Sequence, residues 1–181
     1  FSFREDGNAK FGPGHRWGFF PSASLAWRIS NEQFMKSFTW LSNLKLRGSY
    51  GSTGDDTDSS VADGSLALFG WRNKFQTSSG YMFGSNYSPG ITIGATPNPY
   101  LTWATLRLYD VGVDFGFFDN KLVGEFSYFH KDKTDILQQR VASLPDTYGR
   151  SKAAENYAEQ SWNGFEGSLR YNDHVGEVTY S

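Results

Sequence analysis

Arg16-Trp17-Gly18-Phe19-Phe20-Pro21-Ser22-Ala23-Ser24-Leu25-Ala26-Trp27-Arg28-Ile29-Ser30 is the run whose reading decides the fold. From Phe19 onward its odd positions hold Phe19, Pro21, Ala23, Leu25, Trp27 and Ile29, and its even positions Phe20, Ser22, Ser24, Ala26 and Arg28. A period of two belongs to a β-strand, whose successive side chains leave opposite faces. The alternation returns in Leu44, Leu46 and Tyr50 against Lys45, Arg47 and Ser49, and in Val111, Val113, Phe115 and Phe117 against Gly112, Asp114 and Gly116. Leu122, Gly124, Phe126 and Tyr128 against Val123, Glu125 and Ser127 repeat it, as do Phe165, Gly167, Leu169 and Tyr171 against Glu166, Ser168 and Arg170. With the opening segment, the pattern predicts strands over 1–5, 17–30, 44–52, 105–118, 121–138, 162–172 and 176–181. The fold class is all-β, an antiparallel up-and-down meander of about seven strands.

The connections alternate in length. Asp119-Asn120 between two alternating runs is a tight hairpin signal, and Asn172-Asp173-His174-Val175-Gly176 predicts a second turn. By contrast 53–104 and 139–161 are long. Short turns on one side and long loops on the other is the asymmetry of a transmembrane β-barrel, with the long loops outside. Segment 53–104 is then a long extracellular loop, in which Leu66–Trp71 could form a short strand. Leu106 and Leu108 are out of phase with Val111 and Val113, which predicts either a bulge near Tyr109-Asp110 or a strand that has risen above the membrane.

Composition agrees. Phe 16, Tyr 10 and Trp 6 beside Gly 20 suit strands punctuated by turns. A mean hydropathy of -0.53 and the lack of any 18-residue apolar run exclude a transmembrane helix. Barrel strands keep mean hydropathy low, because lipid-facing apolar residues alternate with lumen-facing polar ones. Cys 0 excludes disulfides, thiolate nucleophiles and Cys-ligated zinc, and a net charge of -2 without a basic stripe argues against nucleic acid as a partner. Opening on Phe1-Ser2-Phe3-Arg4 without Met or a signal segment, the sequence reads as an internal stretch of a longer protein.

The Arg16–Ser30 run, followed by Glu32 and Phe34, resembles a signature strand of SusC/RagA-type TonB-dependent transporters. Arg4-Glu5-Asp6-Gly7 with Phe11-Gly12 resembles the element before it, and Leu41-Ser42-Asn43-Leu44-Lys45-Leu46-Arg47-Gly48-Ser49-Tyr50-Gly51 the one after. Asn98-Pro99-Tyr100-Leu101-Thr102-Trp103, Gly112-Val113-Asp114-Phe115-Gly116 and Asn163-Gly164-Phe165-Glu166 resemble successive later motifs, so the resemblance covers nearly the whole chain. Departures are local. Ala104 stands where an acidic residue is usual, Ala158 where Gly is, Trp162 where Asn is, and Asn8-Ala9 replaces a Ser-rich pair. The resemblance implies one sector of a barrel of roughly 22 strands in the outer membrane of a Gram-negative bacterium. It also implies a plug, energised through TonB, and a SusD-like surface lipoprotein capping the barrel for import of an oligosaccharide or peptide. Plug and TonB box lie outside this sequence, and the resemblance implies neither cofactor nor catalysis.

The alternation sorts residues by face. Arg28, Lys45, Arg47, Asp114, Glu125, Glu166 and Arg170 are expected to face the lumen, and Leu25, Trp27, Leu44, Leu46, Val113, Phe115, Phe126 and Leu169 outer-membrane lipid. Trp17, Trp27, Tyr50, Tyr128 and Tyr171 are expected near strand ends, where amphipathic rings suit the membrane boundary. In the long loop Phe69, Trp71, Tyr81, Phe83, Tyr87, Tyr100 and Trp103 could stack on substrate or anchor the partner, or pack within the loop itself. Asp55, Asp56, Asp58 and Asp63 read as a solvated loop rather than a calcium loop, because the sixth-position Gly and the final Glu are missing. His15, His130 and His174 fall in separate segments without metal or nucleophile spacing, and Glu125 with Glu166 read as lumen carboxylates rather than a glycosidase pair. Two rival readings are a soluble β-sandwich that binds carbohydrate on an aromatic face and a passive porin-like channel.

Overall fold

The computed structural model describes residues 1–59, 68–139, 145–150, 153–175 and 178–180. In chain order the strands are β1 (Ser2–Gly7), β2 (Trp17–Arg28), β3 (Leu41–Asp55), β4 (Phe75–Phe83), β5 (Asn86–Ile93), β6 (Ala104–Phe117), β7 (Leu122–Gln138), β8 (Glu155–Tyr171), β9 (Asp173–Val175) and β10 (Val178–Tyr180). β1, β2, β3, β6, β7 and β8 form one six-stranded sheet in that order, every pair antiparallel. The meander of the sequence analysis is thus present, with β4–β5 inserted as a separate hairpin in the longest connection.

Turn chemistry fixes the β6–β7 corner. Asp119 and Asn120 take φ of 56° and 63°, and Lys121 N–H donates to Phe118 O at 3.1 Å. Left-handed φ at both central residues makes a type I′ turn, whose twist matches the flanking strands and which Asn and Asp tolerate well. Phe118 itself sits at φ 54°, a costly conformation for a bulky residue. Its N–H is held by Trp40 O at 2.9 Å, and Trp40 stacks on Phe117 at 5.5 Å.

Three expectations are corrected, and one pair of alternatives is narrowed. β3 and β6 stay in register from Gly54–Thr105 through Tyr50–Tyr109 to Asn43–Gly116, so no bulge lies at Tyr109-Asp110. Irregularity falls instead in β7 between Lys133 and Leu137, where Asp135 takes φ 57° and Ile136 and Leu137 both become buried. The final strand expected over 176–181 is a short ribbon of β9 with β10, and the expected turn at 173–175 is β9 itself. The strand expected over Leu66–Trp71 lies partly outside the described residues, and Leu68–Trp71 form a turn. Finally, Tyr50 and Tyr128 are in mid-strand, because β3 and β7 run well past their alternating apolar parts.

Neither face of the sheet is covered by a second layer among the described residues: Leu25 is 78% exposed and Leu169 68%. A sandwich would bury that face under another sheet. The buried hydrophobic side chains gather at the end of the sheet that carries the long connections. Phe11 from the β1–β2 link, Leu101 and Ala104 before and at the start of β6, Leu137 at the end of β7 and Ala154 before β8 pack together, with Trp103 against them. Phe11 and Phe20 meet the Trp103 ring edge-on at 5.3 and 5.8 Å. The core is therefore a knot of loops at one end.

Candidate functional site

Register decides which side chains share a face, since directly opposed residues point the same way. Arg28 opposes Lys45, Lys45 opposes Asp114, Asp114 opposes Glu125, Ala26–Arg47–Gly112–Ser127–Glu166 forms the next row, and Val123 opposes Arg170. All seven residues expected to face the lumen thus lie on one side. The other side carries Trp27–Leu46–Val113–Phe126, Leu44–Phe115 and Leu169, with Leu25 opposite Gly48.

On the charged side Arg47 is the hub. Its Nε donates to Asp114 Oδ1 at 3.1 Å, Nη1 lies 3.6 Å from Asp110 and Nη2 3.9 Å from Glu125. Lys45 Nζ reaches Asp114 Oδ2 at 2.9 Å, and Ser168 Oγ reaches Glu125 Oε1 at 3.2 Å. Gly112 makes the hub possible: a Cβ there would lie 2.8 Å from Arg47 Nε. No ion pair among the described residues joins Arg28, Glu166 or Arg170 to this network. Asp110 escaped the sequence reading although it shares the parity of Asp114, because a possible bulge at that point hid the phase.

At the loop end one lysine joins two connections and another ties the end of β3 to β7. Asp56 accepts from Asn8 Nδ2 at 2.6 Å and Lys10 Nζ at 2.7 Å, and Asp55 accepts from Lys133 Nζ and from Thr57. Burial alone would raise the Asp55 carboxyl, but the hydrogen bonds from Lys133 and Thr57 outweigh it and hold it below its ordinary value. Asn156 spends its whole carboxamide on backbone: Oδ1 accepts from Thr102 N–H, and Nδ2 donates to Thr102 O and Asp135 O. Asp58 is buried beside Leu137, and Asp63 lies outside the described residues. Ala104 is fully buried in the knot.

The loop aromatics do not converge. Tyr81 and Phe83 meet edge-on at 5.3 Å on β4, and Tyr87 on β5 accepts the Gly80 N–H at 2.9 Å. Phe69 is in a turn, Trp71 lies under Arg72, and Tyr100 is exposed near His15. Trp103 is committed to packing, with its indole N–H donated to Arg16 O at 2.9 Å.

The apolar face ends obliquely. On β8 its last ring toward the loops is Phe165, in the row of Tyr128, Val111, Gly48 and Leu25. On β6 it continues to Tyr109, and on β2 it reaches Phe19 and then Trp17, six and eight residues beyond Leu25. Six to eight residues rise roughly 20–27 Å, and the four strand spacings from β8 to β2 span roughly 19 Å, so the boundary crosses the strands at about 35–45°.

The family model for the TonB dependent receptor-like β-barrel matches residues 1–181. The chain belongs to this family. Among curated TonB-dependent receptors it is 32% identical over 170 residues to receptor P3 of Formosa agariphila, and 32% identical over 171 residues to SusC of Bacteroides thetaiotaomicron. Each alignment covers 93% of this chain and 16% of the relative, so the chain spans about a sixth of their length. Its fold is also that of the RagAB peptide importer in the open-open state, with a TM-score of 0.77 at 23% identity over 97% of this chain and 18% of that one. Within a TonB-dependent receptor barrel, the six-stranded sheet is an arc of wall with one charged and one apolar side.

Proposed function

We propose that the chain is a wall sector of an outer-membrane importer, with the apolar face against lipid and the charged face toward a plugged lumen. The observation that carries this reading is the uncovered, two-sided sheet whose apolar border runs obliquely across the strands, since barrel strands cross a bilayer tilted by about 45°. Water-exposed sheets do not leave a tilted band of Leu, Phe and Val bare, because each such ring costs free energy in water. Arg107, His130 and Asp132 lie on the same side just past the band, where it would meet headgroups. The Arg47 network would then brace the wall or meet the plug, and the loop knot would hold the long connections outside. Oligosaccharide or peptide is the substrate class: the RagAB neighbour is a peptide importer, and the oligosaccharide arm rests on the resemblance of the sequence to SusC/RagA-type transporters, with TonB acting through the plug and a SusD-like lipoprotein at the loops.

Uptake by the whole receptor tests the reading. Cells expressing it should accumulate a labelled oligosaccharide or peptide, and a protonophore should stop them. Uptake that persists without an energised inner membrane would favour a passive channel instead.

A further inference from the structure

Toward the loop end, one row of the charged face runs Ser22, Gly51, Leu108, Lys131, Trp162. Trp162 is 41% exposed, and Lys131 Nζ lies 5.4 Å from its ring centroid. In the adjoining row Phe129 opposes Gly164, where a Cβ would sit 2.8 Å from Phe129 Cζ. The Phe129 ring therefore lies over the glycine and floors the space beside the indole.

The polar groups here are donors without an oxygen acceptor among the described residues, the Lys131 ammonium resting only over the indole ring. Among the described residues Lys131 has no carboxylate and the Trp162 N–H no acceptor, whereas the nearby acids are engaged. Asp110 and Asp114 are held by Arg47 and Lys45, Asp55 by Lys133 and Asp56 by Lys10. An indole face beside an aromatic floor suits the C–H face of a pyranose, and spare N–H donors suit an anionic substituent on it. A peptide backbone would bring N–H donors of its own, and the engaged carboxylates leave them little to bind.

We propose that Trp162 and Lys131 form a subsite for an acidic sugar unit at the loop-end mouth of the lumen. The ring stacks on the indole, and its carboxylate or sulfate takes the Lys131 ammonium and the indole N–H. This rests on the charged face being the lumen wall.

The test is calorimetric titration of the purified full-length receptor with tetragalacturonate, neutral maltotetraose and tetra-aspartate. Trp162→Ala should weaken tetragalacturonate binding about tenfold or more, and Trp162→Phe should keep it within about threefold. Lys131→Gln should bring tetragalacturonate down to the level of maltotetraose and leave maltotetraose unchanged. Each variant is first checked for the heat-modifiable gel migration of a folded barrel. The subsite is overturned if the wild type does not bind tetragalacturonate, if Trp162→Ala binds it equally well, or if tetra-aspartate is preferred. Energy-dependent uptake of another solute by those same proteins would leave the transport reading standing, whereas loss of the heat-modifiable barrel in the wild type would remove that reading too.

Discussion

Arg47 gathers three carboxylates, Asp110, Asp114 and Glu125, on a half-exposed surface. A single exposed pair contributes roughly 0–1 kcal/mol, but removing the hub leaves acids facing each other. Arg47→Met should therefore cost about 1–3 kcal/mol, read as a lower urea midpoint for the full receptor. Arg47→Lys should recover only part, because one ammonium cannot fork to three acids; an unchanged midpoint in Arg47→Met would show the network to be decorative. Asp55 makes a pH prediction. Its folded pKa is lowered, so its contribution is present above the unfolded carboxylate value of 3.8 and is lost as pH falls through the folded value. Pepsin cleavage in 53–104 should consequently begin at a higher pH in Lys133→Met than in the wild type. Equal onset would mean that the staple does not hold the loop. At this scale the faces were legible because parity alone assigns them, whereas Asp55–Lys133 and Asp56–Lys10 pair residues 78 and 46 positions apart, and no local pattern signals that.

Among the elements, the alternating strands were legible to within a few residues at most ends, and Asp119-Asn120 announced its own turn. β3 and β8 run farther toward the loops than expected, because there the residues on the Leu25 side are Ser52, Gly54, Ser161 and Asn163, which carry no apolar signal. The β4–β5 hairpin was missed for a related reason. Ser, Gly and Asn interrupt its alternation, and the pairing slips between Ser78 and Tyr81. The hairpin belongs to neither the sheet nor the loop knot. Deleting residues 75–93 should leave the barrel heat-modifiable and weaken solute capture or lipoprotein docking. Leu137→Ala should do the reverse. It opens the fully buried knot at a cost of about 2–5 kcal/mol, so proteolysis of the long connections should quicken while the sheet persists. A hairpin deletion that abolishes the heat-modifiable band would contradict this division of labour.

For the whole molecule, the sheet is an arc of wall whose two sides were separated in the sequence and are separated again by the strand register. Family membership was legible because the signature runs keep their order along nearly the whole chain. The loop-end knot was not, since Phe11, Leu101, Leu137 and Ala154 come from four distant segments. The central claim is that the Leu25 side meets lipid and the Ser24 side does not. Leu25 opposes Gly48 and Ser24 opposes Ser49, so the two are neighbours on one strand and point to opposite sides. The direct measurement is folding of the full-length receptor into lipid vesicles across a denaturant series, with Leu25→Arg and Ser24→Arg compared. Leu25 lies between the middle of the apolar band and its Trp27 border, so Leu25→Arg should cost about 1–3 kcal/mol. Ser24→Arg should cost clearly less, because water or the plug can solvate the guanidinium. A Ser24→Arg variant more damaged than Leu25→Arg would contradict the account, by reversing the faces or by removing β2 from the membrane.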